Sequence, residues 1–300
     1  MNRILVTGAN SQIGKFLQNI MPEAIFVDIN QFDLTRQIDV EKMLHLYSPD
    51  TIIHLAARVS GILHNIQYPA EHFYENVLMN TLLIHNAYKN NVKRFIGILS
   101  TCIYADTSDH YPLKEEDLFS GPPTETNFSY GYAKRCMAVQ IDAYNKQYGL
   151  KYNYLIPCNL YSEYEKIGDN SHFIGALIQK IINAQKDHND SIKLFGTGLP
   201  LRQVMYAKDL ALILKYCVNN DITESFNVAT NEIYSIDEIV NIALKACDAE
   251  NLHKIYDNTM PDGQYRKDVS TDKFKRIFSD FEPTSLYEGI KKTYNFLTSR

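Results

Sequence analysis

Arg3-Ile-Leu-Val-Thr7 is a short apolar run that stops at Gly8, and helical spacing begins within five residues, from about Gln12 to Met21. The same succession then repeats. Ala24–Asp28, Thr51–Ala57, Arg94–Ser100 and Lys151–Pro157 are strand-length apolar runs. Between them lie helical patterns. One is capped by Asp39 and carries Val40, Met43, Leu44 and Tyr47 on one face; another spans about 69–90; a third runs from Ser129 to Tyr148 and stops at Gly149. Continuously apolar strands are buried on both faces, and strand–helix alternation at this spacing builds a parallel sheet with helices on either side. The expected fold class is therefore α/β, a Rossmann-type doubly wound parallel sheet. After Pro157 the pattern loosens. Residues 159–170 are polar, 172–185 look helical, and Ile192–Phe195 is a short strand before the turn Gly196-Thr-Gly-Leu-Pro200. Helices are expected at about 208–218 and 235–247, with a turn at Pro261-Asp-Gly263 and a mixed tail.

The first strand–helix junction, Thr7-Gly8-Ala9-Asn10-Ser11-Gln12-Ile13-Gly14, has the layout of a dinucleotide loop. Gly8 permits a tight turn, Gly14 lets the helix lie close to the sheet, and the helix N-terminus offers N–H groups to a pyrophosphate. Asp28 ends the second strand twenty positions after Gly8, where an acid binds ribose hydroxyls. A carboxylate there repels a 2′-phosphate, and no arginine follows it closely, so NAD is favoured over NADP. Asp33 and Leu34 are placed to reach the adenine, and Ala56 and Ala57 to let the cofactor pass close to backbone.

Ser100 ends its strand at the carboxyl edge of the sheet, where ligands bind. Tyr130 and Lys134 follow at i and i+4 on one helix face. A lysine there is expected to lower the phenol pKa and so make Tyr130 a proton donor or acceptor near neutrality. Lys134 can also hold the nicotinamide ribose, and Ser100 can hydrogen-bond the reacting oxygen. Hydride transfer between nicotinamide and a carbinol or ketone suits that set. His54, His85 and Tyr104 read as structural.

Composition removes other classes. Thirty Lys and Arg against 35 Asp and Glu leave a net charge of −5, which argues against nucleic acid or a membrane surface as partner. The longest apolar runs are too short to span a bilayer, and the N-terminus leads into a strand rather than a signal peptide. Five scattered cysteines, never in CxxC, suggest a reducing cytoplasm and no metal site.

Taken together, these residues resemble the nucleotide-sugar epimerase/dehydratase family of extended short-chain dehydrogenase/reductases, and within it the GDP-L-fucose synthase group (NADPH-dependent 3,5-epimerase/4-reductase). The carriers are Ala57-Arg-Val-Ser-Gly-Ile62, Tyr68-Pro69, Asn76, Ser100-Thr-Cys-Ile-Tyr104, Tyr130 with Lys134, Pro157-Cys-Asn-Leu-Tyr161, Gly168–His172, Gly196–Arg202 and Pro261–Lys267. The first 55 residues look more like the dTDP-4-dehydrorhamnose reductase group, and Ser11 stands where the family pattern has its middle glycine.

The resemblance implies an epimerising pair, Cys102 and His172, acting at C3 and C5 of a 4-keto sugar. It also implies contacts to a nucleotide-diphosphate sugar: Asn159 to sugar or phosphates, Arg202 and Lys267 to the diphosphate, Lys180 as a further phosphate contact, and Phe195 stacking on the base where fucose synthase has tryptophan. Residues 1–165, with about 203–230 returning, would bind the dinucleotide; 166–202 and 231–300 would bind the nucleotide sugar. A cytoplasmic homodimer feeding surface polysaccharide synthesis is the family expectation. Two alternatives keep the site and change the reaction: C4 reduction alone, or a UDP-sugar 4-epimerase that retains NAD. A non-catalytic dinucleotide sensor predicts a broken Ser–Tyr–Lys set, and here the set is intact. A dehydratase would need carboxylates at the strand end, where this chain has Thr101-Cys102-Ile103.

Overall fold

The four residues of β1 (Ile4–Thr7) are all buried, as a central strand requires. They belong to a computed structural model that describes residues 2–165, 172–260 and 262–299. The motif residues Gly168–Ser171 and Pro261 lie outside the described residues. β1 pairs in parallel with β2 (Ile25–Val27) on one side and β3 (Thr51–His54) on the other. β4 (Arg94–Ile98) and β5 (Lys151–Pro157) continue the sheet in parallel. Outside it lie β6 (Asn159–Tyr161), β7 (Ser191–Phe195), β8 (Leu201–Arg202) and β9 (Val204–Tyr206). β10 (Phe226–Val228) returns to pair with β5 and completes a six-stranded order, β10-β5-β4-β3-β1-β2. β11 (Tyr234–Ser235) pairs with β8, β12 (His253–Asp257) with β7, and β6 with β9, as three two-stranded ribbons.

Helices cover the sheet. α1 (Gln12–Ile20) starts at Ser11, whose hydroxyl accepts the Gly14 N–H at 3.0 Å, a cap of about 1 kcal/mol. α2 (Gln37–Tyr47) differs from expectation at its start: the cap is Arg36, and Asp39 sits inside the first turn, paired with Arg36 at 3.5 Å. There its charge still complements the helix dipole. α3 (Ile62–Gln67) was not foreseen, because six residues are too few to show a period. α4 (Pro69–Lys89) and α5 (Phe128–Tyr148) pack on each other, and α5 ends at Gly149 with φ +66°, as its position predicts. α6 (Phe173–Lys186), α7 (Ala207–Asn219) and α8 (Ile236–Ala246) match the later helical patterns, while the tail read as mixed holds α9 (Asp272–Ile277) and α10 (Leu286–Thr298). Strands β3 and β4 stop at His54 and Ile98, two to three residues short of the apolar runs. The residues left over, Leu55–Ala57 and Leu99–Ser100, form the carboxyl edge on which the site is built. Among the described residues no helix is long and apolar enough to cross a membrane.

Candidate active site

At the mouth of β1, Gly8 adopts φ +76°, and a Cβ there would meet the Ala56 nitrogen at 2.7 Å. A Cβ on Gly14 would meet the carbonyl oxygens of Gly8 and Ala9 at 2.5 and 2.6 Å. Gly14 therefore closes the helix onto its own loop, rather than onto the sheet as expected. The result is a backbone cradle that side chains would fill, the shape a pyrophosphate needs. Asp28, at the end of β2, accepts from the Asn10 amide and from the Asn30 N–H (2.9 Å), so its carboxylate is fixed beside the loop. Gln12 reaches the other way and accepts from the Ser162 hydroxyl at 2.8 Å, tying the loop to the chain beyond β6. One oxygen of the Asp33 carboxylate, Oδ1, accepts from both the N–H and the hydroxyl of Thr35, and Leu34 is a buried core residue. Ala56 and Ala57 are half-buried just past β3, beside the Gly8 turn.

Ser100, Tyr130 and Lys134 lie at the next strand end. Tyr130 and Lys134 are buried, the Lys134 Nζ lies 5.8 Å from the Tyr130 ring centre, and it donates to the Ile98 carbonyl at 2.7 Å. α5 comes this close because residue 131 is glycine: a Cβ there would meet the Cys102 carbonyl oxygen at 2.7 Å. The expected lowering of the phenol does not occur in this structure. Burial pushes the Tyr130 hydroxyl well above its ordinary value, with the negative charge of Cys102 adding to the effect. Burial also pushes Lys134 down to about 7. Helical spacing shows that two groups share a face, but it carries no information about desolvation.

Cys102 is the middle residue of the turn Thr101–Ile103 that follows Ser100. Its N–H donates to the Ser100 Oγ at 3.3 Å, and the Lys267 Nζ lies 3.5 Å from its sulfur. Burial would raise this thiol, yet Lys267, Ser100 and Arg202 together hold it below its ordinary value. His172 caps α6, and its backbone N–H donates to the Glu165 carboxylate at 2.6 Å. Burial and then Lys267 lower the His172 imidazole. Burial lifts Glu165 to about 7. Glu165 went unnoticed in the sequence because it lies in a polar stretch without a motif.

Of the residues expected at the diphosphate, Lys267 sits against Cys102. Arg202 influences the same thiol, while its guanidinium donates to the carbonyls of Leu201 (2.8 Å) and Asp262 (3.4 Å). The Asn159 amide donates to the Gln203 carbonyl at 3.1 Å and holds β6 against β9. Phe195 is 52% exposed at the end of β7, and the Lys180 ammonium stands 4.6 Å from its ring centre while donating to the Lys193 carbonyl. One face of the ring is thus covered by a cation. These two residues line a cavity of about 370 Å³ with Asn183 and Asn189, apart from the catalytic group.

Several supporting contacts escaped the sequence. Asn76 accepts the Arg58 N–H and donates to the carbonyls of Arg58 and His72, clamping the segment after β3. His54, read without a partner, bonds Thr7 at 2.8 Å and Asn80 at 2.9 Å; burial, with Lys134 adding, pushes it down to about 4. His85 likewise finds the Tyr144 hydroxyl at 2.7 Å. Tyr104 is buried and donates to Asn227 at 2.7 Å.

Comparisons agree with this layout. The family model described as "NAD dependent epimerase/dehydratase family" matches residues 4–229. A GDP-L-fucose synthase of Dictyostelium discoideum is 32% identical over 97% of this chain and 93% of its own length. A GDP-L-colitose synthase of Yersinia pseudotuberculosis is 31% identical over 98% and 97%. The crystal structure of a GDP-L-fucose synthetase from Naegleria fowleri bound to NADP superposes with a TM-score of 0.90 at 29% identity, covering 99% of this chain and 93% of that one.

Proposed function

The chain belongs to the NAD dependent epimerase/dehydratase family, and from that premise we propose that it is an NAD(P)-dependent epimerase/reductase of a nucleotide-activated 4-keto-6-deoxy sugar, of the GDP-L-fucose synthase kind. The observation that carries this reading is the convergence at one sheet edge of two separable sets. Ser100, Tyr130 and Lys134 suit reduction at C4; Cys102, beside Lys267, suits proton removal next to a ketone.

The cradle of Gly8 and Gly14 fits a dinucleotide pyrophosphate, Asp28 would hold the adenosine ribose, and Lys134 the nicotinamide ribose. When bound, the nicotinamide supplies hydride to C4. Tyr130 gives the C4 oxygen its proton and Ser100 hydrogen-bonds that oxygen. A 4-ketone acidifies the neighbouring C–H bonds, so Cys102 takes a proton from C3 or C5 and His172 returns one from the opposite face. Arg202 faces the anionic part of the substrate, a planar fork suited to phosphate oxygens. Phe195 offers a ring for the base, and Lys180 is the neighbouring cation.

Asp28 favours NAD(H). Residues 1–165 with 203–230 form the cofactor half, and the remainder the sugar-nucleotide half. The working form is a cytoplasmic homodimer through α4 and α5, which leave Tyr74 and Val139 exposed. The GDP-L-colitose synthase relative supports a second sugar of the same class.

The test is to incubate the protein with GDP-4-keto-6-deoxymannose and NADH or NADPH in deuterated water. Cofactor oxidation together with deuterium at C3 and C5 is expected. Oxidation without deuterium would leave a C4 reductase, and tightly retained NAD with no net oxidation a 4-epimerase.

A further inference from the structure

Lys267 is 8% exposed, yet the carboxylates nearest to it in sequence are already engaged. Asp268 pairs with Arg266 at 2.6 Å, and both oxygens of Asp262 accept from Thr197. Among the described residues, the polar partner of the Lys267 Nζ is the Cys102 sulfur at 3.5 Å. A buried ammonium without an anion is costly. The groups facing that sulfur are Lys267, Arg202, Ser100 and Tyr130, with His172 close to Lys267. Two of these carry basic side chains and none is a carboxylate. A thiolate at Cys102 would supply the anion that this cluster lacks.

We propose that Lys267 is a positioning residue for the epimerisation half-reaction, holding Cys102 as the thiolate that receives the substrate proton. This rests on the epimerase reading above. In the step, the C–H bond beside the ketone breaks and its electron pair passes into the enolate. The proton forms the S–H bond. His172 then donates to the opposite face and remakes a C–H bond, and both groups recover their protonation states from solvent.

The experiment is the pH dependence of iodoacetamide alkylation at Cys102 in the full-length protein, read by peptide mass spectrometry with the other four cysteines as internal references. Cys102 is partly exposed, whereas Cys158, Cys217 and Cys247 are buried. In Lys267→Met the alkylation midpoint should move up by about one unit, with a roughly tenfold slower reaction at neutral pH. Lys267→Arg should restore most of it. If Lys267→Met unfolds, the ultraviolet thiolate absorbance of the unmodified protein decides instead: a Cys102 thiolate persisting at neutral pH, and absent in Cys102→Ser, supports the pairing. An unchanged alkylation profile, with only KM for the nucleotide sugar raised, would overturn the proposal and return Lys267 to the diphosphate. Because alkylation uses no substrate, it is independent of the epimerase reading. A shifted midpoint with deuterium wash-in at C3 and C5 undisturbed in Cys102→Ser would leave the ion pair intact and overturn its role in epimerisation.

Discussion

Replacing Gly14 by alanine tests the cofactor cradle at its tightest point. The new methyl would stand 2.5 Å from the Gly8 carbonyl oxygen, 2.6 Å from that of Ala9 and 2.9 Å from the Ala9 carbonyl carbon. All three are backbone atoms, so no side chain can rotate away. The shortest contact is nearly an ångström inside ordinary van der Waals distance, and relief requires α1 to lift off the loop. Overpacking of this kind costs about 1–3 kcal/mol. Lifting α1 also moves the N–H groups that would face the pyrophosphate, so the cost falls on binding as well as folding. At 1.4 kcal/mol per tenfold, dinucleotide affinity should fall by roughly 10- to 100-fold. The assay is a fluorescence titration with NADH and NADPH, paired with thermal melts with and without cofactor. Gly149→Ala is the control. Gly149 also adopts positive φ, but nothing lies within 4 Å of its Cβ position, so it should lose about 1 kcal/mol of stability and no cofactor affinity. A Gly14→Ala protein that binds within twofold of the parent would refute the cradle.

Other substitutions address the remaining groups. Tyr130→Phe should cut reduction on the order of 10²- to 10⁴-fold while cofactor titration stays unchanged; near-normal turnover would remove its proton-transfer role. Asp28→Ala should erode the preference for NADH over NADPH, and an unaltered ratio of the two kcat/KM values would dismiss that carboxylate as the selector. His54 is held neutral in the fold, at about 4 against 6.5 in the unfolded chain, so the unfolded state binds more protons between these values. Stability should therefore fall as pH drops through that window, by at most about 1.4 kcal/mol per unit from this residue. Denaturant titrations of His54→Gln should show a shallower acid loss; an identical pH slope would exclude it.

How much of this was legible from the sequence depended on whether the determinant was local. Gly8, Ser11 and Gly14 define their loop within seven residues, and Gly149 ends α5 through its own backbone angle. The parallel sheet showed itself because β1, β3 and β4 are buried along their whole length and so read as unbroken apolar runs. β10 is a three-residue strand beside β5, some seventy residues away in the chain, and pairing at that separation leaves no local mark. The Lys267–Cys102 contact spans 165 positions, and pairing at that separation leaves no local pattern. Tyr130 shows the other limit. The spacing to Lys134 was right, but the sign of the phenol shift depended on how deeply both groups are buried.

The central claim is that one cleft carries two half-reactions on different side chains, and solvent deuterium separates them. With a GDP-4-keto-6-deoxy sugar and reduced cofactor in deuterated water, Tyr130→Phe should still exchange C3 and C5 hydrogens while failing to oxidise cofactor. Cys102→Ser should lose the exchange while still reducing an already epimerised ketone. Loss of both activities in both variants, or exchange that persists in Cys102→Ser, would contradict it.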